Sequence, residues 1–271
     1  MKTVLITGCS SGYGRATALH FAERGWNVVA TMRTPAEIAH PRVRVLPLDV
    51  TRRASIDAAL QGALEAFGAI DVVVNNAGIG LMSALEATPE ETIREIFETN
   101  TFGVIAVSRA IVPHFRERRG GTLINVTSSV GIAAMPLVSV YTASKQAIEG
   151  FTESLAYELS LFGVATKIVE PGYAPTTSFV ASGMKRMEGL LPPAYAAYAE
   201  QLFAPRADAK TTDAGDVARA VFLAATDGTT RLRYAAGADA EELAAMRRAL
   251  PGDDYLGPMR AAVGPATQDR R

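Results

Sequence analysis

Short β-branched runs alternate with longer segments of helical apolar spacing along most of this chain, and no other feature narrows its fold as far. Thr3 to Thr7, Asn27 to Met32, Val43 to Leu48, Asp71 to Val74, Thr122 to Thr127 and Ala165 to Val169 are expected as six strands. Between them Gly12 to Arg24, Arg53 to Phe67, Pro89 to Arg118 and Val140 to Phe162 repeat apolar residues at helical intervals, with Ala, Leu and Glu enriched. Strands as apolar as Val72-Val73-Val74 and Leu123-Ile124 must be covered on both faces, the condition of a parallel sheet between two helix layers. The expected architecture is a doubly wound α/β fold with a parallel sheet of about seven strands and helices on both faces.

The rhythm breaks from Gly172 to Lys210, where Pro175, Pro192, Pro193 and Pro205 interrupt an Ala/Tyr/Met-rich stretch. Residues 173–210 are expected as a substrate lid with one or two short helices. A helix resumes from Thr212 to Ala225, Arg231 to Tyr234 reads as a last short strand, and Ala238 to Leu250 as a helix whose early acids and late arginines match its dipole. Residues 251–271 are expected as a loosely attached tail. With no repeat and no composition shift, one domain over residues 1–271 is the reading.

Composition excludes several function classes. Twenty-seven basic residues against 28 acidic ones give a net charge of −1, which offers no bulk attraction to nucleic acid or to an anionic membrane. Cys9 is the single cysteine, and His20, His40 and His114 are scattered, so neither a disulfide framework nor a clustered zinc site is expected, and no metal. Met1 to Thr7 lacks a signal-peptide core and no run approaches the roughly 20 apolar residues of a spanning helix. The expectation is a cytoplasmic protein without membrane insertion.

Thr7-Gly8-Cys9-Ser10-Ser11-Gly12-Tyr13-Gly14 joins the first strand to the first helix, where unpaired backbone N–H groups and the positive helix end suit a phosphate. Gly8 can take the positive φ of a tight turn, Gly12 leaves room for a pyrophosphate, and Gly14 lets helix press on sheet. A plain strand-to-helix connection is the other reading. From these residues on, the chain resembles the short-chain dehydrogenase/reductase family, whose classical members have a Rossmann fold and carry T-G-x-x-x-G-x-G here, matched by Thr7, Gly8, Gly12 and Gly14. Asn75-Asn76-Ala77-Gly78 looks like the family's N-N-A-G motif, and Asp49-Val50 resembles its adenine-contacting Asp. The resemblance runs to about Thr176. It implies a nicotinamide dinucleotide held by Gly8, Ser10, Ser11, Gly12, Tyr13 and Gly14, by Asp49 and Val50, by Asn76, Ala77 and Gly78, and by Pro171, Gly172 and Thr176, which match a P-G-x-x-x-T segment. Read without the family, Asn-Asn-Ala-Gly is a turn, Asp49 a cap for the helix near Arg52, and Tyr13 a packed core ring.

Cofactor choice should be set after the second strand, where a carboxylate accepts the ribose hydroxyls of NAD and a cation pairs with the extra phosphate of NADP. Met32 stands where NAD-using members usually show Asp, and Arg33 follows it. NADP(H) is favoured and NAD(H) stays open, since Ser11 occupies a position where many NADP-preferring relatives have a second basic residue. Arg33 as a solvated loop cation is the alternative.

Tyr141-Thr142-Ala143-Ser144-Lys145 puts a phenol and an ammonium one helical turn apart. A unit charge about 4 Å from the phenol contributes about 4 kcal/mol at an effective dielectric of 20, or about three pKa units, so an acidified Tyr141 is expected. An ordinary exposed helix pair is the bland reading. Ser128, thirteen positions earlier, has the placement of the family's catalytic Ser, with Ser129 as competitor. Asn100 matches the fourth member of the Asn-Ser-Tyr-Lys set. As a poor helix-interior residue it suggests a backbone irregularity whose carbonyl holds a water beside Lys145; a solvent-facing Asn is the alternative.

The resemblance implies an ordered reaction in which NADP(H) binds first, Ser128 and Tyr141 grip a carbonyl oxygen, hydride passes from the nicotinamide, and Tyr141 supplies the proton. A small carbonyl or alcohol substrate of apolar character is expected, walled by Phe179, Val180, Met184, Met187, Leu190, Leu191, Tyr195, Tyr198 and Phe203; the same residues could form a dimer surface or a core layer. The overall likeness is greatest to the hydroxysteroid and retinol dehydrogenase branch. It also implies a homodimer or homotetramer packed through the Pro89 to Arg118 and Val140 to Phe162 helices. A dinucleotide-bound regulatory or scaffold protein without turnover is the alternative class. An epimerase or dehydratase of the extended relatives is disfavoured by the three-residue gap between Gly8 and Gly12 and the short C-terminal region.

Overall fold

The computed structural model describes residues 1–175, 183, 186–204 and 209–265. Seven strands, β1 (Thr3–Ile6), β2 (Asn27–Met32), β3 (Val43–Pro47), β4 (Val72–Asn75), β5 (Gly121–Val126), β6 (Val164–Pro171) and β7 (Arg233–Ala236), form one parallel sheet in the order 3-2-1-4-5-6-7. The expected doubly wound sheet is therefore observed, with the strand order reversing between β1 and β4. Every residue of β1 and of β4 is buried, as apolar strands covered on both faces must be.

Helices α1 (Gly12–Glu23), α2 (Arg53–Phe67), α3 (Glu90–Phe97), α4 (Gly103–Arg118), α5 (Ser139–Ser160), α6 (Pro193–Phe203), α7 (Ala214–Thr226), α8 (Ala238–Ala249) and α9 (Leu256–Val263) complete the described elements. On one face α1 and α7 meet through Phe21, Trp26 and Phe222, whose rings pack edge to face at 5.1 and 5.0 Å around Phe21. On the other face Ile56, Ile111, Phe115 and Leu155 of α2, α4 and α5 lie against Leu5, Val73 and Leu123. Burying each such side chain contributes about 1.5–3 kcal/mol. Helix α7 starts in a capping box in which the Asp213 carboxylate accepts the Asp216 N–H at 2.7 Å and the Asp216 carboxylate accepts that of Asp213 at 2.9 Å.

Two expectations need correction. The last strand lies two residues later than Arg231 to Tyr234, because the buried Lys167 ammonium takes the carbonyls of Thr229 at 2.6 Å and Arg231 at 2.8 Å and holds that stretch as a loop. Within the described part of the C-terminal segment, Tyr198 of α6 donates to the Val263 carbonyl at 2.5 Å, and the Arg247 guanidinium lies over the Tyr255 ring at 4.1 Å. The single predicted helix from Pro89 to Arg118 is α3 and α4 joined by a π-helical turn over Glu98–Phe102.

Candidate active site

The site forms where β1 and β4 part. Thr7, at the end of β1, accepts the N–H groups of Asn76 and Ala77 on one hydroxyl, each at 3.0 Å. The Asn76 amide returns two bonds, to the carbonyls of Thr7 at 2.9 Å and Gly8 at 3.2 Å. Gly8 has φ +75°, and a Cβ there would stand 2.8 Å from the Ala77 Cα. At Gly14 a Cβ would fall on the Gly8 carbonyl and 2.6 Å from the Asn76 amide nitrogen. The glycine turn and the Asn-Asn-Ala-Gly loop are thus one interlocked unit, and the Asn76 side chain serves to hold the turn.

That unit leaves Ser10 and Ser11 exposed at the N-terminus of α1, whose first N–H groups have no acceptor within the helix. Such a glycine-built cradle fits the pyrophosphate of a dinucleotide. At its outer end Met32 is buried and Arg33 exposed. Asp49 does not cap α2, whose N-cap is Arg52; its Oδ1 accepts the Thr51 N–H at 3.0 Å and hydroxyl at 2.7 Å. Burial pushes this carboxyl up, but the Thr51 bonds and the charges of Arg33 and Arg52 outweigh it and hold Asp49 below the usual range. Val50 is buried against Gly103.

Tyr141 and Lys145 lie in the first turns of α5, and Ser128 in the turn after β5. Ser128 is hydrogen-bonded to Tyr141 and also accepts the Val130 N–H at 3.4 Å, whereas Ser129 opens a short 3-10 turn. The geometry brings Ser128, not Ser129, to the phenol. Lys145 is buried, its Nζ donating to the Val126 carbonyl at 3.1 Å and standing 5.8 Å from the centre of the Tyr141 ring. Burial pushes its ammonium down to about 8, against the upward pull of Glu149.

Burial works against the acidification expected for Tyr141 from the Lys145 and oxidised-nicotinamide charges. Burial pushes the phenol up to about 12, and the Ser128 hydrogen bond offsets only part of that. The cause is the apolar shell of Leu81, Ile96, Val130, Val140 and Leu190 around the ring. A phenol of this kind holds its proton at neutral pH and can donate it to an oxygen that gains negative charge.

Asn100 sits in the π-helical turn and is fully buried, which excludes the solvent-facing reading. Its Oδ1 accepts the Ile79 N–H at 2.8 Å, and its amide donates to the Ile79 carbonyl at 2.9 Å and to Ser144 at 3.2 Å. A Cβ at Gly78 would stand 3.3 Å from Asn100 Oδ1 and 3.5 Å from Lys145 Nζ, so Gly78 fits the gap between them. Pro171 ends β6 opposite Ala236, and Gly172 donates to the Ala236 carbonyl at 3.0 Å. Half-buried Tyr13 packs against the sheet core, and burial, with the charges of Tyr141 and Asp239, raises its phenol. The ring thus packs as part of the core. Cys9 is buried and pushed up to about 12, which keeps it in the unreactive thiol form.

Of the expected lid residues, Leu190 joins the shell around Tyr141, Tyr198 is bonded to Val263, and Phe203 is exposed. Thr176, Phe179, Val180 and Met184 lie outside the described residues. Glu149, one turn beyond Lys145, was missed; it accepts the Thr127 hydroxyl at 2.6 Å and an Arg233 N–H at 2.9 Å, and its place on the Tyr141 face of α5 was readable from spacing. Among the described residues no three His, Cys, Asp or Glu side chains gather as a metal set, and no helix is long and apolar enough to cross a membrane.

Residues 2–186 match the family model for short chain dehydrogenase. A 3-ketodihydrosphingosine reductase from Bacteroides thetaiotaomicron is 40% identical over 171 residues, covering 63% of this chain and 63% of that protein. Retinol dehydrogenase 8 from Bos taurus is 38% identical over 187 residues, covering 63% and 58%. Both matches span less than two thirds of those relatives' lengths. A short chain dehydrogenase/reductase from Burkholderia phymatum, solved in complex with NAD, superposes with a TM-score of 0.80 at 26% identity over 98% of each chain.

Proposed function

The chain belongs to the short-chain dehydrogenase/reductase family, and on that premise we propose that it is an NADP(H)-preferring oxidoreductase that interconverts a carbonyl and an alcohol on an apolar small molecule. The observation that carries this reading is the Ser128–Tyr141 hydrogen bond beside the buried Lys145.

Bound dinucleotide supplies the hydride. Gly8, Ser10, Ser11, Gly12 and Gly14 would hold its pyrophosphate, Asp49 and Val50 its adenine, and Arg33 the additional phosphate. Asn76, Ala77 and Gly78 shape the floor, and Tyr13, Pro171, Gly172 and Thr176 the nicotinamide end. Ser128 donates to the substrate oxygen and Tyr141 delivers its proton there as negative charge develops. Lys145 would return a proton to Tyr141, itself resupplied from solvent through a water held by the backbone carbonyl at Asn100. The Leu81, Val130 and Leu190 shell excludes water from the phenol and favours an apolar substrate. Residues 1–271 act as one catalytic domain, with 173–210 as the lid and 251–271 as a C-terminal tail, in a cytoplasmic homodimer or homotetramer.

The test is loss of NADPH absorbance with purified protein and a panel of ketones, aldehydes and quinones. Turnover that disappears in Tyr141→Phe supports the reading. Tight NADPH binding with no turnover across the panel would favour a non-catalytic dinucleotide-binding protein.

A further inference from the structure

Asp239 takes no part in the mechanism above, yet two distant chain segments converge on its carboxylate. It stands in the first turn of α8, where the helix end favours a negative charge. Its Oδ2 accepts the Tyr173 N–H and its Oδ1 the Thr212 hydroxyl, both at 2.6 Å, short enough for charge-assisted bonds. The Thr212 N–H in turn donates to the Tyr173 carbonyl at 2.9 Å, and the Thr212 hydroxyl lies 3.0 Å from the Ala236 carbonyl. Tyr173 follows β6 and Thr212 precedes α7, so they are the two ends of the long segment between those elements. A Cβ at Gly172 would fall on the Asp239 carboxylate, and one at Gly237 on the Thr212 hydroxyl, so the join closes only with glycine at both places. Lys210 and Glu242 add an ion pair beside it.

We infer that Asp239 is a positioning residue for the nicotinamide end of the site: by joining Tyr173 to Thr212 it fixes the path of the Pro171–Gly172–Tyr173 backbone beside Tyr13 and Tyr141. The inference rests on the reading given under the proposed function. The join follows the C-terminal end of β6, the same edge of the parallel sheet from which the glycine turn leaves β1 and Ser128 leaves β5. Without the carboxylate, two N–H and O–H donors lose their shared acceptor and the ends of a long connection are free to separate.

Hydrogen exchange on the free protein and NADPH titration followed by nicotinamide fluorescence test this with Asp239→Asn, Thr212→Val and Thr212→Ser. Asp239→Asn and Thr212→Val are expected to speed exchange at the Tyr173 and Thr212 amides at least tenfold. NADPH affinity should fall about fivefold or more, while exchange within β1 and β4 is unchanged. Thr212→Ser, which keeps the hydroxyl, should restore both readouts. Slow exchange in both variants, or fast exchange with wild-type NADPH affinity, would overturn the inference. Wild-type protein that binds neither NADPH nor NADH would sink the functional reading itself, a separate outcome visible before any variant is made.

Discussion

The ammonium of Lys145 is hydrogen-bonded to the carbonyl of Val126 at 3.1 Å, so the first turns of α5 are fastened to the end of β5, two residues before Ser128. This bond places Tyr141 against Ser128 at the cost of burying a cation. Burial lowers Lys145 from its ordinary value to about 8, which makes its contribution to stability depend on pH.

Below about pH 8 both folded and unfolded chains carry the Lys145 proton and the burial cost is present in full. Between about 8 and 10.5 the folded protein gives the proton up first, so stability rises with pH across that window. Lys145→Met is expected to stabilise the protein by about 1–2 kcal/mol at pH 7, since the desolvation cost exceeds the lost Val126 bond. Turnover should drop at least 100-fold. Urea unfolding at pH 7 and 10 checks the first part; a variant destabilised at both pH values contradicts it.

Glu170 offers the opposite sign. Burial, reinforced by the Glu149 charge and opposed by Arg233, raises its carboxyl to about 7. From about 4.5 to 7 the unfolded chain loses this proton while the folded one keeps it, so stability falls as pH rises. Glu170→Gln should raise stability at pH 8 by roughly 2–3 kcal/mol and change it little at pH 4.5. Equal effects at the two pH values in thermal unfolding would remove Glu170 as the source.

Thr7→Val leaves the Asn76 and Ala77 N–H groups without their shared acceptor. A loss of about 2–4 kcal/mol in denaturant unfolding is expected, with NADPH affinity at least tenfold weaker because the two loops of the cradle separate. A variant with wild-type affinity would show that the interlock is not what shapes the cradle.

Arg33→Asp should shift the ratio of kcat/KM for NADPH over NADH toward NADH by at least about tenfold, since a phosphate partner becomes an acceptor for ribose hydroxyls. An unmoved ratio would assign Arg33 to the solvated surface, where its measurable neighbour is Asp49.

The sheet was legible because its strands advertise burial on both faces: Val72-Val73-Val74 has no polar residue to spare for solvent. The Tyr141–Lys145 spacing and the oddity of Asn100 inside a helix were legible for the same local reason, and the π-helical turn at Glu98–Phe102 is the irregularity that Asn100 announced. The direction of the Tyr141 shift was not, because it depends on a shell assembled from Leu81, Ile96, Val130 and Leu190, residues far apart in the chain. Asp239 gave no signal beyond an acid in a helix's first turn, since its partners Tyr173 and Thr212 meet it only through the sheet topology. The contacts of residues 251–265 rest on the Tyr198 hydroxyl and the Arg247 guanidinium, which no periodicity reveals.

The most direct measurement is the single-turnover rate of carbonyl reduction by Tyr141→Phe with NADPH saturating, after titration has shown its NADPH affinity to be within threefold of wild type. The account expects a rate at least about 1000-fold lower, because the phenyl ring keeps the packing but has no proton to give. A rate within tenfold of wild type would place the proton donor elsewhere and contradict the role given to Tyr141.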